Sequence, residues 1–129
     1  MATDTLSNGP GTLRDARAAS SAAFATALEP VRRKFIDTIE ERILAIEGLR
    51  QDIGRNRDVD ASVRAVAGIA HKLSGVSATL GFARVGALAA TAENMLSAEG
   101  SRLTAADRWA LAADQVENLL DALESILDT

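Results

Sequence analysis

From Val31 to Thr129 the chain contains no proline. Its apolar residues in that stretch recur three and four positions apart. Proline is the residue that most reliably breaks a helix, and three-four spacing places apolar side chains on one face of an α-helix. A stretch of this length without a breaker folds as helices joined by short turns. The composition points the same way: Ala occurs 26 times and the aromatics number four, Phe24, Phe35, Phe82 and Trp109. Ala is the strongest helix former, and aromatic and β-branched residues are what sheets favour. The expected fold class is therefore all-α. One domain accommodates the 129 residues.

The spacing predicts five helices. Residues 1–11, with Ser7-Asn8-Gly9-Pro10-Gly11, read as a flexible leader. A first helix is expected over 12–28, opened by Thr12 with Asp15. Pro30 suits a first helical turn, and the second helix is expected over 30–53. Its stripe is Phe35, Ile36, Ile39, Ile43, Ile46, Leu49 and Ile53, with a stop at Gly54 before the polar turn Arg55-Asn56-Arg57-Asp58. The third, over 59–80, buries Val63, Val66, Ala70, Leu73, Ser77 and Leu80, and Gly81 ends it. The fourth, over 83–98, carries Val85, Leu88, Ala89, Ala92 and Leu96. The last, over 104–127, opens with Thr104 and Asp107 and carries Trp109, Ala113, Val116, Leu120, Leu123 and Leu127. Four amphipathic helices with short connections imply an antiparallel up-down bundle, here with an additional N-terminal helix.

Several chemistries are excluded. Without Cys there is no disulfide, thiol nucleophile or thiolate metal site. A single His rules out a multi-imidazole metal centre. The formal net charge of −4 opposes nucleic-acid binding. No apolar run is long enough for a membrane span, and the start Met1-Ala2-Thr3-Asp4 lacks a secretory pattern. The expected location is the cytoplasm, and the expected state a monomer. No phosphate-binding Gly-rich loop and no nucleophile elbow is present. Glu40-Glu41 and Glu117 with Asp121 fit solvated helix faces.

One helix face is unusual. At 100° per residue, the core stripe of the third helix centres about 130° from His71, so His71 points outward. Sharing its face are Arg64, Ala67, Gly68, Ser74, Gly75 and Ala78. An exposed face normally carries Lys, Glu and Arg. Here the immediate neighbours of the His are two interior glycines, Gly68 and Gly75, each costing roughly 1 kcal/mol relative to Ala. Close approach of another molecule to the imidazole accounts for that cost. Close packing against the first helix is the competing explanation.

Residues 70–81 read Ala70-His71-Lys72-Leu73-Ser74-Gly75-Val76-Ser77-Ala78-Thr79-Leu80-Gly81. This resembles the histidine phosphotransfer domain family of two-component phosphorelays. The family pattern has Ala-His, then an apolar residue two after the His, Gly four after, an apolar residue nine after and Gly ten after. Ala70, His71, Leu73, Gly75, Leu80 and Gly81 match it. In the next helix Val85, Leu88, Ala89, Ala92 and Glu93 match its small-apolar-then-Glu pattern. The likeness covers about 31–127 in helix order and is specific over about 67–93. Where the family commonly has Lys, three after the His, this chain has Ser74; the nearest cation is Lys72.

The resemblance implies a phosphoryl carrier without kinase activity of its own. His71 would be the phosphoacceptor, with Lys72, Ser74 and Gly75 around the phosphate and Arg64, Ala67, Gly68 and Ala78 in the docking face. It implies response-regulator receiver domains and a sensor histidine kinase as partners. No cofactor or metal is expected in this chain; Mg²⁺ is expected on the receiver. Three other readings share these features. A kinase dimerisation and phosphoacceptor domain typically has an acidic residue directly after the His, where this chain has Lys72. A helical adaptor would leave His71 incidental. The phosphoacceptor portion of a larger chemotaxis-type kinase would look similar, although the leader and the end at Leu127-Asp128-Thr129 favour a free-standing protein.

Overall fold

In a computed structural model of the chain, the backbone is described for residues 2–128 and the side chains for 18–128. The described residues form four helices and no strand: α1 (Ala2–Gly54), α2 (Val59–Ser77), α3 (Ala83–Leu96) and α4 (Ala105–Leu127). Two compact units divide between Lys34 and Phe35.

The first unit is the N-terminal part of α1. Residues 2–11 of the expected leader lie within the range of α1, residue 1 lies outside the described residues, and the break expected between 28 and 30 is absent. The separate N-terminal helix expected over 12–28 is thus part of a longer one. Proline's fixed φ is compatible with helix; what it removes is one N–H, leaving the carbonyl four residues back without its donor. Side chains over 18–34 are exposed apart from half-buried Leu28, so solvent serves that carbonyl in place of the missing donor. Glu29 and Arg33 face each other across the proline at 3.7 Å, an exposed pair worth a few tenths of a kcal/mol.

The second unit holds the bundle. The connections 55–58 and 78–82 are too short to run back along the preceding helix, and after 97–104 the side chain of Arg108 near the start of α4 bonds the Leu96 carbonyl at the end of α3, so successive helices run antiparallel. Helix α3 packs against both α2 and α4, and α2 also reaches α4. The core takes Phe35, Ile39, Ile43 and Ile46 from α1 and Val63, Val66, Ala70, Leu73 and Ser77 from α2. From α3 come Val85, Ala89, Ala92 and Leu96, and from α4 Ala112, Val116, Leu119 and Leu123. Each fully buried Leu, Ile or Val contributes roughly 1.5–3 kcal/mol. The expected stripe is displaced on α4: Trp109 and Ala113 are half-buried and Leu127 is exposed, while Ala105, Ala112, Leu119 and Ala122 are buried. The small residues at 105, 112 and 122 let α4 approach its neighbours, and the bulkier indole is left at the edge.

Helix ends are made by specific backbone geometry. At the end of α1 the left-handed residue is Asn56 (φ 54°), not Gly54. The N–H of Arg57 donates to the Asp52 carbonyl at 2.8 Å, and that of Asn56 to Ile53 at 3.0 Å. This pair of bonds is a Schellman motif. The same motif closes α2: Gly81 is left-handed (φ 90°), Phe82 N–H donates to Ser77 at 2.8 Å and Gly81 N–H to Ala78 at 3.3 Å. Phe82 then stacks on Phe35, with ring centroids 5.5 Å apart. At the start of α4 the Thr104 hydroxyl accepts from the Asp107 N–H at 3.1 Å, the N-cap arrangement that Thr104 and Asp107 announce in the sequence.

Candidate functional site

Helix α2 turns its apolar stripe inward, and this forces the remaining face outward. His71 stands on that outer face with its side chain 74% exposed. Arg64, Gly68, Lys72, Gly75 and Ala78 are also exposed, and Ala67 and Ser74 are half-buried. A Cβ added at Gly68 or Gly75 would meet nothing within 4 Å. Neither glycine is therefore needed to let another part of the bundle come close. The close-packing role belongs to Gly86 on α3, where an added Cβ would lie 3.4 Å from the Ala78 nitrogen and 3.6 Å from the Ser77 and Ala78 Cβ atoms. The α2–α3 crossing is tight at the C-terminal end of α2, a few residues after His71.

Close crossing brings a carboxylate to the imidazole. Nδ1 of His71 lies 2.6 Å from Oε2 of Glu93 on α3, whose side chain is 27% exposed. A carboxylate only accepts hydrogen bonds, so the hydrogen in this contact is carried by Nδ1. In the neutral ring that leaves the lone pair on Nε2, the nitrogen farther from α3. The imidazole is thus held through Nδ1 on an exposed side chain, and in the neutral ring Nε2 keeps the free lone pair. In the sequence Glu93 stands out only as a match to the family's small-apolar-then-Glu pattern, with no role attached. The signal it carried was a carboxylate directly beside the core position Ala92.

Around the ring, the Ser74 hydroxyl donates to the His71 carbonyl at 2.9 Å. Its hydrogen is thereby committed to the helix backbone. Lys72 lies about 100° round the helix from His71 and makes no ion pair or hydrogen bond among the described residues. The structure accordingly brings Glu93, Ser74 and Gly75 next to the imidazole, and leaves Lys72 to its side. Arg64 is two turns away on the same face.

The model of the Hpt domain family matches residues 30–126. The chain belongs to the Hpt domain family. No curated protein and no solved structure matches it. Hpt domains are helical bundles that serve histidine phosphotransfer in phosphorelays, interacting with response regulators and kinases. The match begins at Pro30 and takes in all but the last residue of the bundle helices of this Hpt domain, with His71, Glu93, Gly68 and Gly75 inside it. None of the described helices is long and apolar enough to cross a membrane.

Proposed function

We propose that His71 is the phosphoacceptor, and that it takes a phosphoryl group from one response-regulator aspartate or a sensor histidine kinase and passes it to another aspartate. The observation that carries this reading is the exposed imidazole held through Nδ1 by Glu93, in a chain of the Hpt family. In the transfer from a receiver, the Nε2 lone pair attacks the phosphorus of the aspartyl phosphate. The P–N bond forms as the P–O bond to the aspartate breaks, and the carboxylate leaves. Nε2 has no proton to lose. The Nδ1 proton stays in the bond to Glu93, and the positive charge that the ring gains faces that carboxylate. Reversal of the same steps hands the group to the next aspartate.

Phosphoryl transfer depends mostly on positioning and on stabilising charge. In this division of labour the receiver supplies Mg²⁺ and a Lys, while the Hpt domain supplies an oriented nucleophile on an open face. Gly68, Gly75, Ala67 and Ala78 leave room for the receiver surface to reach Nε2. Ser74 occupies the place of the family's Lys, and Lys72 is the cation next to His71 in the chain. The protein works as a cytoplasmic monomer.

The test is incubation with a panel of phosphorylated receiver domains from the same genome, with wild type and His71→Gln. Wild type becomes labelled and His71→Gln does not, while helicity and melting temperature barely change. Full labelling of His71→Gln would overturn the assignment.

A further inference from the structure

Two turns N-terminal to His71, a cleft of about 410 Å³ opens between α2, the end of α3 and the start of α4. Asp60, Arg64 and Ala67 line one side, and Ser97 and Arg108 line the other. The two arginines differ. Arg108 is fixed: its Nε donates to the Leu96 carbonyl at 3.0 Å and its Nη1 to the Leu103 carbonyl at 2.6 Å. These bonds leave Nη2 unused. Arg64 is exposed and makes no ion pair or hydrogen bond among the described residues. Asp60 pairs with neither arginine. Two cations and one anion give the cleft a formal charge of +1, suited to a single carboxylate.

Its position says where that carboxylate comes from. Arg64 shares the azimuth of His71 to within about 20° and lies about 10 Å along the helix. A stable protein interface covers about 800 Å² on each partner, a patch of roughly 16 Å radius. An interface of that size centred on His71 also covers the cleft, and Ala67 belongs to both. We propose that the cleft receives an acidic side chain of the docked receiver domain, paired with Arg64 and the free edge of Arg108. This rests on the reading of His71 as phosphoacceptor. The cleft then helps choose among receivers, while the ring does the chemistry.

The experiment uses the full chain, its cognate phosphorylated receiver, and the Arg64→Ala and Arg64→Glu variants. Single-turnover transfer is measured against receiver concentration, at low and high salt. The expected result is a rise in KM of about fivefold or more for Arg64→Glu, with a smaller fall in the saturating rate. Wild type should lose more affinity to salt than Arg64→Ala does. Among receivers carrying single Asp→Arg or Glu→Arg substitutions, one should restore Arg64→Glu. A wild-type KM and salt response in Arg64→Glu would overturn the proposal while leaving the role of His71 standing. So would competition by inorganic phosphate with no receiver substitution that restores the variant, since the cleft would then hold a free anion. Failure of wild type to take phosphate from any receiver would overturn both readings.

Discussion

Nδ1 of His71 and Oε2 of Glu93 meet at 2.6 Å across the α2–α3 crossing. The two ring nitrogens are made unequal by a residue 22 positions later in the chain. An imidazole on a bare helix turns freely between rotamers and exchanges tautomers; this one has its Nδ1 edge tied to a half-buried carboxylate. An orienting partner of this kind acts on reactivity more than on stability, because the pair is too exposed to stabilise the fold by much.

Replacing Glu93 should separate orientation from folding. Glu93→Ala is expected to slow single-turnover transfer roughly tenfold, the scale on which losing an orienting hydrogen bond acts. Glu93→Gln should retain more, since its amide oxygen still accepts from Nδ1. Nitrogen NMR of the ring is expected to show mainly the Nδ1–H tautomer in wild type and a mixture in Glu93→Ala. An identical tautomer balance in the two proteins would rule out this orienting role.

The two glycines beside His71 on α2, Gly68 and Gly75, should gain stability from a methyl group. Gly68→Ala and Gly75→Ala place Cβ in open space and are each expected to stabilise the domain by about 0.5–1 kcal/mol. Gly75→Arg should also fold, yet block transfer by occupying the surface beside Nε2. Denaturant unfolding and transfer assays check the two halves. Native transfer with Arg at 75 would move the docking face elsewhere.

Gly86 should behave in the opposite way. Its Cβ position already lies in contact with Ala78 and Ser77, so Gly86→Ala is expected to be nearly neutral. Gly86→Ile should destabilise by about 1–3 kcal/mol through overpacking. Thermal melts of the two variants decide this, and an unchanged melting temperature for Gly86→Ile would show that the crossing can spread without cost.

Charge near the phosphoryl group is tested at Lys72 and Ser74. A nearby ammonium lowers the cost of bringing phosphoryl oxygens to the ring. At saturating receiver, Lys72→Ala is expected to transfer several-fold more slowly. Ser74→Lys should equal or exceed wild type, at the expense only of the exposed hydroxyl bond to the His71 carbonyl. Unchanged rates in both variants would mean that the receiver supplies all the charge.

The α2 stripe was legible because its residues obey one rule. Val63, Val66, Ala70, Leu73, Ser77 and Leu80 are spaced three and four apart, and all six are buried. Gly81 and Thr104 were legible because their roles depend only on adjacent backbone. What escaped depends on how helices meet. The contact of Glu93 with His71 needs the register of α3 against α2, which no single-helix pattern contains. Gly86 looks like Gly68 and Gly75 in sequence, and only the neighbouring helix tells them apart. At the end of α1 two residues compete for the left-handed position, and Asn56 takes it because Gly54 is still the last residue of the helix. Pro30 misled for the reverse reason: a local penalty near 3 kcal/mol is not always enough to end a long helix.

The order of the bundle has a kinetic side. Helices α2, α3 and α4 each pack on their chain neighbour across connections of a few residues, so the contacts that define the domain form between nearby segments. Helical bundles, in which most contacts join chain neighbours, fold in about microseconds to milliseconds. The expected nucleus is the α2–α3 hairpin, which is tight at Gly86 and carries the His71–Glu93 pair about two turns away. Once that hairpin closes, the His71 ring has its orientation, before α4 needs to be in place.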